Sequence, residues 1–120
     1  MTITEKSRDF SKIEMYKMTK ANDIISVKDL PDGAKLHVDG YLTYDDINRK
    51  GEEVHMLSVM GTMDGVEKPV VWTCQSATFK TSFFDIWSIF NGEDGLEPFT
   101  IVKGSGQSKA GRDFVECSVE

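Results

Sequence analysis

Polar and apolar residues alternate along LHVDGYLTY (residues 36–44), with Leu36, Val38 and Leu42 on one side and His37, Asp39, Tyr41 and Thr43 on the other. A period of two over this length predicts a half-buried β-strand. Gly40 sits in its middle, where a glycine marks a bulge or tight bend of the kind a strongly coiled barrel strand requires. After the polar loop DDINRKGEE come a second strand, VHMLSVMG, and, beyond TMDGVEKP, a third, VVWTCQ. Both are apolar on both sides, so a one-residue change of register would exchange their inner and outer faces.

The period then changes. Phe79, Phe83, Ile86 and Phe90 follow one another at spacings of four, three and four. That stripe predicts one helix of about three to four turns. Ser76 or Thr78 is available as its N-cap, and Asn91-Gly92 closes it. Its apolar residues, Phe79, Phe83, Phe84, Ile86, Trp87 and Phe90, read as a plug for the strands. After EDGLEP, FTIVKG is a fourth strand and DFVECSV a fifth, joined by the Gly-rich loop SGQSKAGR. The predicted fold is all-β: a five-stranded OB-fold barrel with one helix between strands 3 and 4. Such barrels bind oligonucleotides or oligosaccharides on a sheet face and on the loops between strands 1 and 2 and strands 4 and 5.

Upstream the pattern is weaker. In residues 1–22 the apolar positions Phe10, Ile13, Met15, Tyr16 and Met18 fit neither a helical nor a strand period. They are read as an N-terminal extension, and residues 23–120 as a single OB-fold domain. Within that domain a short apolar run from Asp23 leads to the turn Pro31-Asp32-Gly33.

Composition narrows the classes. At 120 residues and 39% hydrophobic, the chain has material for one compact core without disulfide or metal support. Cys74 and Cys117 lie far apart in apolar strand-like runs and read as buried thiols of a reducing compartment. The N-terminus has no apolar signal region, and no window approaches the roughly 18 apolar residues of a membrane span, so a cytoplasmic protein with no membrane partner is expected. The net charge of -6 argues against a uniformly positive surface but leaves room for a local basic groove. Acids gather at Asp45, Asp46, Glu52, Glu53, Glu93, Asp94 and Glu97, whereas Lys103, Lys109 and Arg112 share a stretch with only Asp113 against them.

Catalytic patterns are missing from the sequence. His37, His55, Cys74 and Cys117 offer no CxxC or HxxxH pair to build a metal site. There is no GxGxxG, GxxxxGK[ST] or GxSxG. GSGQSKAG lies between two predicted strands and opens no helix, so it lacks the amide cradle of a phosphate loop. Adjacent acids such as Asp45-Asp46 and Glu52-Glu53 sit in a loop, where solvation explains them better than acid/base catalysis. No enzyme, cofactor or metal is expected.

An aromatic and basic set remains. Coating a single strand without reading its sequence needs flat surfaces for bases, worth about 1–3 kcal/mol per stacked base, and cations along a groove. Tyr41 points away from the Leu36/Val38/Leu42 face, and Phe114 away from Val115, Cys117 and Val119, with Arg112 on its side. Each is either a stacking platform or a residue covered by the helix or the N-terminal extension. Trp72 shares a face with Val70 and Cys74 and is either core or a stacker; Tyr44 begins the first loop. Arg49 and Lys50 at that loop's tip, Lys103 at the end of strand 4, and Lys109 and Arg112 around the second loop form an electrostatic footprint at one mouth of the barrel.

KDLPDG, HVDGYLTY, NRKGEEV, ATFKTSFFDIWSIF and SKAGRDFVEC together resemble the small single-stranded DNA-binding proteins of tailed bacteriophages, over roughly residues 23–119. The resemblance implies an OB-fold that saturates single strands during DNA replication or recombination, protects them from nucleases, and works beside replication proteins in the host cytoplasm. It implies Tyr41 and Phe114 as stacking residues, with Arg49, Lys50, Lys109 and Arg112 near phosphates. Bacterial cellular relatives end in a disordered acidic tail, whereas this sequence ends FVECSVE at a strand, which leaves tail-mediated recruitment and tetramer formation open. The competing reading is a non-catalytic OB-type adaptor that binds protein, which the acidic net charge favours. A carbohydrate-binding module or small enzyme would need a convergent polar pocket, which spacing alone does not identify.

Overall fold

The first 22 residues form a strand, β1 (Thr2–Lys6), and a helix, α1 (Lys12–Thr19), in the computed structural model, which describes residues 1–120. A capping box starts α1: Ser11 Oγ accepts from the Glu14 amide at 3.1 Å, and Glu14 Oε1 accepts from the Ser11 amide at 2.9 Å. A helix of eight residues is marginal by itself. Burial of Phe10 and Met18 and a 2.6 Å bond from Ser58 Oγ to the Met18 carbonyl hold it against the sheet.

After β2 (Ile25–Ser26) and a 3₁₀ turn come three antiparallel strands, β3 (Lys35–Ile47), β4 (Glu53–Thr62) and β5 (Val70–Cys74). Helix α2 (Ala77–Phe90) follows, capped by Ser76, whose Oγ accepts from the Phe79 amide. A two-residue hairpin, β6 (Asn91–Gly92) with β7 (Gly95–Leu96), leads to β8 (Thr100–Gln107) and β9 (Asp113–Val119). The protein is mostly β, and its main sheet runs β2-β5-β4-β3-β8-β9, curled into a half-barrel, with β1 added to β3. No helix is long and apolar enough to cross a membrane.

Strand β3 changes partners along one edge. Lys35 to His37 pair with β8, and Leu42 to Asp45 pair with β1. Between these stretches the ladder to β4 slips at Val38/Gly40, a bulge at the glycine the sequence singles out. The extra residue reverses the alternation. Leu36 and Val38 face the inner cluster beside Tyr41, whereas Leu42 and Tyr44 face the outer one. Gly40 itself lies under the N-terminal arm, where a side chain would meet Ser7 Oγ and Phe10. Ser7 and Tyr41 exchange hydrogen bonds there, the Tyr41 amide donating to Ser7 Oγ and the Ser7 amide to the Tyr41 carbonyl.

Two apolar clusters therefore sit on opposite faces of the central strands. The inner one joins Leu36, Leu57, Val59, Trp72, Phe79, Phe83 and Ile101 inside the curl. The outer one joins Phe10, Met18, Leu42, Tyr44, Met60 and Val71 under the N-terminal arm.

Candidate nucleic-acid interface

The concave surface at the N-terminal end of α2 is built from three elements. The base of the β3–β4 hairpin supplies Tyr44, Asp45, His55 and Met56 to one hollow, which Ala77, Lys80 and Phe84 of α2 close. A second hollow continues from Met56 along Thr73, Cys74, Gln75 and Ser76 to Lys28 and Val115. The third, of about 740 Å³, shares Lys28, Ser76 and Val115 and runs out along Ser105, Gly106 and Gln107 of β8 and Asp113 and Phe114 of β9. The second and third hollows share a wall, and the first meets the second at Met56, so the three line up past the first turn of α2.

The hairpin tips carry the expected cations. Asn48 organises the β3–β4 tip: its Oδ1 accepts from the Lys50 and Glu52 amides, both at 2.9 Å, while Gly51 adopts the positive φ the turn requires. Arg49 and Lys50 are left exposed there. At the β8–β9 tip, Ser108 Oγ accepts from the Arg112 amide and the Ser108 carbonyl from the Gly111 amide, leaving Lys109 and Arg112 exposed. Phe114 is half-buried at the base of this hairpin. Its ring lies against the bare Cα of Gly106, where a Cβ would come within 2.7 Å of it.

Four expected contact residues are buried, though Tyr44 and Lys103 still line the hollows. Tyr41 is a core residue, 5% exposed, with edge-on contacts to Phe83, Phe84 and Trp87 at centroid distances of 5.6, 5.3 and 4.9 Å. The bulge at Gly40 carries it to the inner face, and its hydroxyl donates to Glu5 Oε1 at 2.6 Å. Burial, reinforced by that carboxylate, pushes the phenol well above its ordinary range. Tyr44 is likewise buried, because β3 runs on to Ile47 and β1 and α1 cover that face; only its edge reaches the groove. Trp72 is fully buried in the inner cluster, with its indole N–H unpartnered. Lys103 is 5% exposed. Strand β8 continues past it, and its ammonium donates to the Leu30 carbonyl at 2.8 Å and to Asp32 Oδ1 at 2.9 Å. Asp32 also accepts from Ser105 Oγ, and that bond, followed by Lys103, holds its carboxyl below the usual range. Lys103 thus fastens the Pro31–Gly33 turn to β8 with two of its three ammonium hydrogens, while its side chain lines the third hollow.

Two cations outside the expected contact set line the hollows. Lys28 leaves the 3₁₀ turn into the second and third hollows. Lys80, on the first turn of α2, borders the first hollow and donates to the His55 carbonyl at 3.1 Å. Lys80 stands beside the inward stripe of Phe79 and Phe83, which marks it as outward-facing, but only the sheet curl brings it beside His55. No acid occupies the first turn of α2, so the positive end of its dipole opens on the groove without local compensation.

Asp45, Glu53 and His55 bring metal-type ligand atoms within 4.8 Å of one another. His55 Nδ1 and Asp45 Oδ1 already satisfy each other at 2.6 Å. Cys74 and Cys117 are free, buried thiols. Burial pushes them up to about 11 and about 12 respectively, so neither is a nucleophile near neutral pH. Compared with known proteins, the chain matches no family model, no curated protein and no solved structure.

Proposed function

We propose that this protein binds single-stranded DNA without sequence preference, laying the strand along the groove at the start of α2, and that it does so as a coat rather than as an enzyme. The observation that carries the reading is the row of adjoining hollows between two hairpins whose tips carry Arg49, Lys50, Lys109 and Arg112, with Lys28, Lys80 and the helix N-terminus along its floor and Phe114 on its wall. The strand order β5-β4-β3-β8-β9, with a helix between the third and fourth of the five chain-ordered strands, supports an OB-fold assignment, the seam between β5 and β9 being open. In the phage-type role suggested by the sequence resemblance, the chain would protect displaced strands during replication or recombination in the host cytoplasm, beside replication proteins.

Stacking rests chiefly on Phe114, with Phe84 and the exposed His55 ring offering further surface in the first hollow. The affinity is accordingly dominated by phosphate contacts. Anisotropy of a labelled oligo-dT tests this. Engagement of the six cations Lys28, Arg49, Lys50, Lys80, Lys109 and Arg112 gives log affinity falling with log salt at a slope of about -4, and Phe114→Ala costs about 1–3 kcal/mol at any salt. Duplex of equal length should compete poorly. No binding at low salt would sink the proposal and bring the protein-adaptor reading forward.

A further inference from the structure

The far end of α2 has the opposite character. From Thr81 to Val102 the chain carries Asp85, Glu93, Asp94 and Glu97 and no lysine, arginine or histidine. None of these four carboxylates joins an ion pair. Between them in sequence stand two exposed apolar side chains, Ile89 at 76% and Leu96 at 36%. Asp85 lies one turn before Ile89 on the same helix face. The patch has a firm base, because Phe90 stacks on Phe99 at 4.9 Å and Trp87 meets Phe99 edge-on at 6.0 Å.

Local stability does not account for these charges. A helix C-terminus carries partial negative charge and favours cations in its last turn, yet α2 has none there, and Glu93, Asp94 and Glu97 follow directly. Three acids directly after the unfavourable end of a dipole, with Asp85 one turn before Ile89, and with exposed aliphatic side chains between them in sequence, are unfavourable for the isolated chain. They become favourable when a cationic surface covers them, which is how complementary charge at an interface acts. A symmetric contact with a second copy would set the four acids of one patch against those of the other.

We propose that the C-terminal end of α2 and the β6–β7 hairpin form a docking site for a partner protein segment in which lysines or arginines flank an apolar anchor residue. Ile89 and Leu96 receive the anchor, and Asp85, Glu93, Asp94 and Glu97 receive the cations. The site is separate from the strand groove, which lies at the other end of the same helix.

The test uses the full chain and a fluorescein-labelled peptide with one leucine flanked by lysines and arginines. A control peptide carries serine for leucine and glutamates for the cations. The first peptide should bind at low salt and weaken as salt rises, and the control should not bind. Ile89→Ser and the double variant E93K/D94K should each weaken binding by about tenfold, the loss expected of an interface anchor or its charge partners. Ile89→Ser leaves oligo-dT affinity unchanged, and both variants leave the circular dichroism spectrum unchanged, because the altered side chains are exposed. Absence of peptide binding, or equal binding by E93K/D94K, would overturn the proposal. So would self-association of the wild-type chain in sedimentation velocity that Ile89→Ser abolishes, since the face would then belong to a second copy. Peptide binding without oligo-dT binding leaves this site standing and removes the groove; the reverse result removes this site alone.

Discussion

The two apolar clusters differ in how they are made. The inner one gathers side chains from β3, β4, β5, α2, β8 and β9, and its largest members, Trp72, Phe79 and Phe83, are completely buried. The outer one is smaller and is completed by an arm, with Phe10 and Met18 lying over Leu42, Tyr44, Met60 and Val71. At Phe10 it is bounded by a surface cation, the Arg8 guanidinium 4.2 Å above the ring. The inner cluster cannot collapse into a gap without moving several strands, whereas the arm can settle. Stability is therefore concentrated inside the curl, and the outer cluster serves to cover strands that are apolar on both faces.

This contrast predicts a ranking in urea denaturation. Phe83→Ala should cost about 3–5 kcal/mol, and Phe10→Ala about 2–3 kcal/mol because the arm closes over part of the space. Equal losses would mean that the arm is as rigid as the core.

The backbone sharpens the comparison on a smaller scale. A Cβ on Gly61 would stand 2.2 Å from the His37 carbonyl oxygen, where β3 and β4 press together beside the bulge, while at Gly104 the nearest atom is 3.6 Å away. Gly61→Ala should cost about 1–3 kcal/mol, the range for a forced backbone shift. Gly104→Ala should stay within about 0.5 kcal/mol. If the two behave alike in thermal melts, the tight seam at the bulge does not exist.

The smallest effect concerns pH. Glu14 is held low by the Ser11 amide and then by Arg8, and Asp46 by Lys20 and then the Ile47 amide. Both lie in or against the arm. A carboxyl with a lowered folded-state value stabilises the fold above its ordinary value of 4.5 or 3.8, and that contribution is lost as pH falls below it. The protection of amides against exchange, relative to their intrinsic rates, should thus fall in residues 1–22 on acidification below about 4, before β4 and β5 respond. Simultaneous loosening of both regions would refute a separately held arm.

Much of the strand and helix layout was legible because period and capping are local. The stripe from Phe79 to Phe90 and its Ser76 cap fall within the observed helix and its boundary, and DFVECSV coincides with β9. Gly40 was legible as a bulge, but what the bulge does to Tyr41 was not. Reversal of the alternation depends on which ladder positions slip, and the β4 partner determines that. Tyr44 and Lys103 were misplaced for a related reason: β3 and β8 run further than their apolar runs, extended by pairing with β1 and β9. Helix α1 carried one local signal, the Ser11/Glu14 capping box, while its buried residues are too few to make a stripe. Among groove residues, the hairpin cations and Phe114 could be read from turn chemistry, whereas Lys28 and Lys80 meet the groove only through the curl of the sheet.

The membership of the two clusters also sets an order of events on the ribosome. Once Val71 has emerged, every side chain of the outer cluster exists, and β3, β4 and β5 can pair beneath the arm. The inner cluster must wait for Phe79, Phe83, Phe99, Ile101 and finally Cys117. A nascent meander with two greasy faces would invite aggregation while the remainder is translated. The arm, made first, is on hand to shield one of those faces, so the half-built protein exposes to its neighbours only the surface that α2 will later fill.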